Sequence, residues 1–142
     1  IRHDSALATT ATEGPVVMVC GPHVSSERRA EVESWVMETV AVGLGADGRI
    51  DPVGVGRYLA GRDIQTVLLE GGPRLAGAWW AAGLIDRVVA FVCPRVSPGV
   101  ENRGALNAPG PSGMTAAAGL QEVELRQVGP DVLVTGYRGG PF

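Results

Sequence analysis

The apolar positions of the chain fall into short continuous runs and helical spacings that alternate. Pro15-Val16-Val17-Met18-Val19-Cys20 is an unbroken apolar run closed by Gly21-Pro22, the pattern of a strand covered on both faces. Ser25 or Ser26 can cap a helix running through Glu27 to about Val36, and Glu27 suits the positive end of its dipole. Thr39 to Val42 predicts a second strand, and Ala46-Asp47-Gly48 a turn. Asp51-Pro52 sets a capping carboxylate before a first-turn proline. It opens a helix with Val53, Val55, Tyr58 and Leu59 inward, ending near Gly61.

Ile64 to Glu70 predicts a third strand, Pro73 to Ala82 a third helix, and Val88 to Cys93 a fourth strand stopped by Pro94. From Ser97 to about Gly119 the chain is rich in Gly, Pro, Ala and Asn and reads as a long surface loop. Leu120 to Arg126 and Val132 to Tyr137 alternate apolar and polar around Gly129-Pro130-Asp131, which predicts an antiparallel hairpin. Strands alternating with helices predict an α/β fold whose central sheet is mostly parallel, flanked by helices, with the hairpin at its C-terminal end. The first residues, rich in Ala and Thr, read as a loop. The 142 residues show no composition break and predict one domain, residues 1–142.

Charge narrows the partners. The net charge is −3 and no run of basic residues occurs, so the electrostatic footprint of a nucleic-acid or anionic-membrane binder is missing and small molecules are the expected partners. All 12 basic residues are Arg, which excludes a Schiff-base or phosphate-loop lysine within this chain. Cys20 and Cys93 stand apart in apolar runs and read as buried free thiols of a reducing compartment. No apolar stretch is long enough to span a bilayer, and no basic leader opens the chain, so a cytoplasmic location is expected. The opening at Ile1, without an initiator Met, suggests a fragment.

The chemistry concentrates at Val67-Leu68-Leu69-Glu70-Gly71-Gly72-Pro73-Arg74-Leu75-Ala76-Gly77, where an apolar run ends at a carboxylate, turns on two glycines and enters a helix. A helix start of this kind directs unpaired N–H groups and partial positive charge at an anion, and phosphate is the natural guest. Glu70 sits at the carboxyl end of the expected third strand, where ligands of open α/β sheets collect. Capping of the following helix explains a carboxylate there equally well. Gly71, Gly72 and Gly77 follow neither the dinucleotide spacing nor the phosphate-loop spacing, and a tight turn with close packing at Gly77 is an equal alternative to cofactor binding. Trp79 and Trp80 diverge by roughly 100° around the helix, so one faces the sheet and the other is more exposed, in core packing or a subunit contact. His3 and His23 lack ligand-spaced neighbours, and no metal is assigned.

The run Thr66 to Ala78, continuing through Ala82-Gly83-Leu84-Ile85-Asp86-Arg87 to Pro94, closely resembles the reductase domain of the bifunctional riboflavin-biosynthesis deaminase/reductase. Val128-Gly129-Pro130-Asp131-Val132 resembles that family's ending, and Asp4-Ser5 is similar to the aspartate-serine pair closing an earlier strand. The resemblance implies a dihydrofolate-reductase-like fold that binds NADPH and reduces the ribosyl group of 5-amino-6-(5-phosphoribosylamino)uracil to a ribityl chain. It carries the substrate-contacting and catalytic glutamate onto Glu70, and cofactor contacts onto Gly72, Pro73, Arg74, Leu75, Ala76, Gly77, Ala78 and Ser5. NADPH in preference to NADH is likewise implied by the resemblance, and Arg28 and Arg29 are candidates for a 2′-phosphate contact.

The family's deaminase domain and the opening strands of its reductase domain have no counterpart in this sequence, so the N-terminal part of the domain is expected to be missing and the chain alone not to catalyse. A phosphoribosylaminopyrimidine is the expected partner, and a homodimer, through a sheet edge or the Trp79/Trp80 helix, the expected assembly. The alternatives are a reductase of the same fold with another pterin or pyrimidine substrate, and a non-catalytic nucleotide-binding or assembly module.

Overall fold

A computed structural model describes residues 1–35, 37–96, 104–110, 112–113 and 117–139. The chain forms two compact units, Ile1–Thr66 and Val67–Phe142. Mixed α/β structure is present, with one parallel strand pair in the first unit and one antiparallel sheet in the second.

In the first unit, α1 (Ala6–Thr9) is a single turn in the stretch expected to be a loop. It forms because the Ser5 hydroxyl caps it, accepting from the Ala8 amide at 3.3 Å, a local bond that apolar periodicity does not reveal. Strand β1 (Val17–Cys20) pairs in parallel with β2 (Glu38–Ala41), Val17 opposite Glu38 and Cys20 opposite Ala41. Helix α2 (Ser26–Glu33) connects them, its N-terminus capped by Ser25, whose hydroxyl accepts from the Arg28 amide at 3.2 Å. Ala11, Val32 and Met37 are buried together, and Ala8, Val16, Met18 and Trp35 pack against them.

Asp51 caps α3 (Pro52–Ala60), accepting from the amides of Val53 and Gly54 at 3.0 and 3.2 Å. The helix lies close over the end of β2: a Cβ on Gly54 would come within 2.6 Å of Val42 Cγ1. Glu38 on β2 accepts hydrogen bonds from the Tyr58 hydroxyl at 2.7 Å and from the Arg62 guanidinium, which also lies 5.6 Å from the centroid of the Tyr58 ring. These bonds hold the Glu38 carboxyl below the usual carboxylate range, the Arg62 bond most strongly.

The expected third strand is not one. Ile64 to Glu70 pairs with no strand among the described residues, and Leu68 is 77% exposed. Apolar residues favour extended backbone, but a strand exists only through hydrogen bonds to a neighbour, and none pairs with this segment among the described residues.

The second unit contains α4 (Pro73–Ala81), β3 (Arg87–Val92), β4 (Gln121–Val128) and β5 (Asp131–Tyr137). The strand order is β3-β5-β4, wholly antiparallel, so the sheet expected to be mostly parallel has its parallel component only in β1 and β2 among the described residues. The predicted hairpin is β4–β5, turning at Gly129-Pro130, where Gly129 takes the left-handed φ of +59° that glycine tolerates without strain. β5 is central and holds the buried Leu133 and Thr135, whereas β4 is an exposed edge. On α4, Trp79 is buried and Trp80 half-buried, as the divergence of neighbouring helical positions requires. Arg138 closes the C-terminal end of that helix. Its guanidinium lies 4.3 Å from the centroid of the Trp80 ring and donates to the Trp80 carbonyl at 2.5 Å, while its amide donates to Asp86 O at 2.8 Å.

Candidate functional site

The first three helices start under side-chain caps from Ser5, Ser25 and Asp51. Helix α4 starts under Gly72, and no side chain caps it. Pro73 at its first position has no N–H to satisfy, and the Ala76 amide already donates to Gly72 O at 3.1 Å. The amides of Arg74 and Leu75 therefore remain as the donors of the first turn that no intrahelical carbonyl can reach. No acidic residue occupies that turn, so the positive end of the dipole is not neutralised from within.

The residues that carry these donors line a cleft of about 750 Å³. Gly72, Pro73, Arg74 and Leu75 form one wall, and Gly104, Leu106 and Asn107 the other. The volume lies in the range of cofactor and small-molecule sites. A Cβ placed on Gly72 meets no atom within 4 Å, and its φ of −65° suits any residue, so packing does not demand glycine there. What its missing side chain leaves is open approach to the helix start. Gly71 is tighter: a Cβ there would overlap the Leu75 side chain.

The second wall is held against the helix by its own backbone. The Asn107 amide donates to Pro73 O at 2.9 Å, and Gly77 lies against the Asn107 carbonyl so closely that a Cβ would overlap it and would stand 3.0 Å from Ala108 N. Gly77 thus has a packing role. The sequence reads as a long surface loop from Ser97 to about Gly119 and does not reveal this wall. Its signal was a glycine inside a helix, which marks close approach of another backbone.

Of the residues singled out in the sequence, Gly72, Pro73, Arg74 and Leu75 come together at the cleft. Ala76, Gly77 and Ala78 continue the helix beyond it, Gly77 buried and the other two half-buried. Glu70 is exposed, two residues before Gly72, and is not among the cleft's lining residues. Ser5 belongs to the first unit, where its hydroxyl caps α1 and donates to Arg2 O at 2.7 Å. Arg28 bonds to Glu31 and to Ile1 O and stacks 5.4 Å from the Trp35 ring centroid. The Arg29 Nε is buried without a hydrogen-bond partner among the described residues.

Cys20 and Cys93 are free, but Cys93 is exposed and Cys20 half-buried, since neither strand end is covered as its apolar run suggests. The Asp131 carboxylate beside the Cys93 thiol pushes its pKa up. No helix among the described residues is long and apolar enough to cross a membrane.

Known proteins share this arrangement of sequence and fold. The riboflavin biosynthesis protein RibD of Escherichia coli strain K12 is 35% identical over 85 residues, 60% of this chain and 23% of its own length. That of Mycobacterium tuberculosis is 41% identical over 85 residues, covering 60% of this chain and 24% of its own. The RibD of a Synechocystis strain is 32% identical over 117 residues, 82% of this chain and 29% of its own. The chain thus spans about a quarter of the length of these relatives. Among solved structures, Acinetobacter baumannii RibD in its form 1 superposes with a TM-score of 0.69 at 22% identity, over 98% of this chain and 36% of that one. A pyrimidine reductase-like protein of Corynebacterium diphtheriae superposes at 0.63 and 16% identity, over 97% of this chain and 56% of that one. At these identities the superpositions speak for the fold. The family model described as the RibD C-terminal domain matches residues 2–134, nearly the whole sequence, and the chain belongs to that family.

Proposed function

We infer that the chain is the cofactor-holding part of a riboflavin-pathway reductase that uses NADPH to convert the ribosyl group of 5-amino-6-(5-phosphoribosylamino)uracil into a ribityl chain. The observation that carries this reading is the uncapped start of α4 facing the cleft, in a chain of the RibD C-terminal domain family. A pyrophosphate fits the donor set. The Arg74 and Leu75 amides supply two N–H groups, the helix supplies positive potential, Gly72 leaves room, and Arg74 adds a cation at the same wall. When bound, NADPH supplies the hydride that the sugar carbon accepts.

The chain's own residues bind and orient. Gly72 to Leu75 hold the charged bridge of the dinucleotide, and the helix dipole is oriented before the ligand arrives, so little reorganisation opposes binding. Glu70, the one carboxylate within two residues of this turn, is assigned to a ribose hydroxyl of the substrate, which it orients by accepting a hydrogen bond. A homodimer is part of this reading, to be measured by light scattering.

The experiment is turnover of the phosphoribosylaminopyrimidine with NADPH by the protein carrying this chain, and the same assay on Glu70→Gln. Reduction by the parent, and a fall in kcat larger than the rise in KM for NADPH in the variant, support the reading. NADPH binding without any reduction favours a non-catalytic nucleotide-binding module instead, and unchanged turnover of Glu70→Gln removes Glu70 from the mechanism.

A further inference from the structure

We propose that residues 104–107 are a specificity wall of the cofactor cleft, in which the Asn107 carboxamide reads a ribose hydroxyl next to the pyrophosphate and Leu106 packs against the adjoining sugar or base. This rests on the cofactor reading above and adds residues that it does not include. Three observations carry it. The Asn107 amide is committed to Pro73 O at 2.9 Å, which fixes Asn107 beside the first residue of α4. Its carbonyl lies against Gly77, at a distance no side chain could share. Asn107 nevertheless lines the cleft, so the polar group it has left to offer a ligand is the carboxamide, which both donates and accepts as a ribose hydroxyl requires. Leu106 lines the same wall and is 43% exposed, and Leu75, on the opposite wall, is 46% exposed, so the cleft offers apolar surface from both sides to a sugar or base.

Geometry selects a ribose. The phosphates of a dinucleotide bridge are each esterified to one, so a polar group one residue from the amides that hold the bridge meets a sugar before it meets a base. Seating by backbone alone also separates function from stability. Removing the Asn107 or Leu106 side chain leaves the bond to Pro73 intact, because its donor is a main-chain N–H.

The test is NADPH affinity, titrated by calorimetry, beside the melting temperature of the ligand-free protein carrying this chain. Asn107→Ala and Leu106→Ala should each weaken NADPH about tenfold, the loss of one contact, while ligand-free melting stays that of the parent. Gly77→Ala, which pushes the wall off the helix, should weaken NADPH at least as much. Parental affinity in Asn107→Ala overturns the proposal, and so does a loss of affinity matched by a fall in ligand-free melting, which would make Asn107 merely structural. A Gly72→Asp variant separates the two readings. If it loses NADPH while Asn107→Ala and Leu106→Ala keep it, the wall fails and the helix site stands; if the parent binds no NADPH, both fail.

Discussion

Replacing Gly72 by Asp should make the protein more stable and its cofactor site much worse. The backbone at Gly72, φ −65° and ψ 176°, is that of an ordinary N-cap, and a Cβ there touches nothing within 4 Å, so the substitution introduces no strain. The new carboxylate can accept from the Arg74 or Leu75 amide, the two donors left open at the start of α4. Asp exceeds Gly as an N-cap by a few tenths of a kcal/mol, and its charge at the dipole's positive end adds about 0.3–1 kcal/mol. The net gain is about 1 kcal/mol, or roughly 2–4 °C in Tm for a chain of this size. An anion at the same amides loses its charge-assisted hydrogen bonds, worth about 1.5–3 kcal/mol each, and meets a like charge. Taking about 3 kcal/mol as the combined loss, NADPH affinity falls roughly 100-fold. Differential scanning calorimetry of the ligand-free protein and a binding titration measure the two effects independently. A variant that binds NADPH as the parent does would refute the reasoning, because the amides it occupies could not then be those that hold the phosphates.

The other expected outcomes concern stability. Asp51→Ala removes a cap that serves two amides of α3 and should cost about 1 kcal/mol, read as a lower midpoint in urea. Arg138→Ala loses the stacking on Trp80 and the bond to its carbonyl, for about 1–2 kcal/mol after allowing for solvent, and Arg138→Lys restores only part because an ammonium cannot stack as a planar fork does. Glu38 has a lowered folded pKa, so its bonds to Arg62 and Tyr58 contribute fully above the ordinary glutamate range and are lost as the pH falls through that range and below; the acid limb of a melting profile should flatten in Glu38→Gln.

Where local chemistry decides an element, the sequence mostly shows it; the exception is α1, a single turn under the Ser5 cap with no apolar period to mark it. Ser25 or Ser26 before Glu27 places the start of α2 to within one residue, Asp51 before Pro52 places that of α3, and Gly129-Pro130 places the hairpin turn. Where a partner decides, the sequence misled. Ile64 to Glu70 has the composition of a buried strand, but a strand is a relation between two segments, and composition reports on only one of them. The same reasoning explains why β3 appeared to continue a parallel series. Its own residues carry no mark of direction, which is fixed by pairing with β5, Arg87 opposite Tyr137 and Val92 opposite Val132.

The candidate site divides along the same line. Gly72, Pro73, Arg74 and Leu75 were legible because an uncapped helix start is a local feature, defined by which side chains are absent. The wall at Gly104, Leu106 and Asn107 was not, since nothing in those residues names α4 as their neighbour. The one trace of the contact lies on the other partner. Gly77 interrupts a helix that also contains Ala76 and Ala78, and a glycine in a helix interior costs about 1 kcal/mol relative to alanine. That cost is explained by the Asn107 carbonyl, which occupies the space a methyl group would need. A helix glycine of this kind therefore specifies a distant backbone as surely as a cap specifies a helix start, but it reveals only that something approaches closely. The hydrogen bond from Asn107 to Pro73 supplies what the glycine leaves open, and together they hold the second wall of the cleft against the turn whose amides face it.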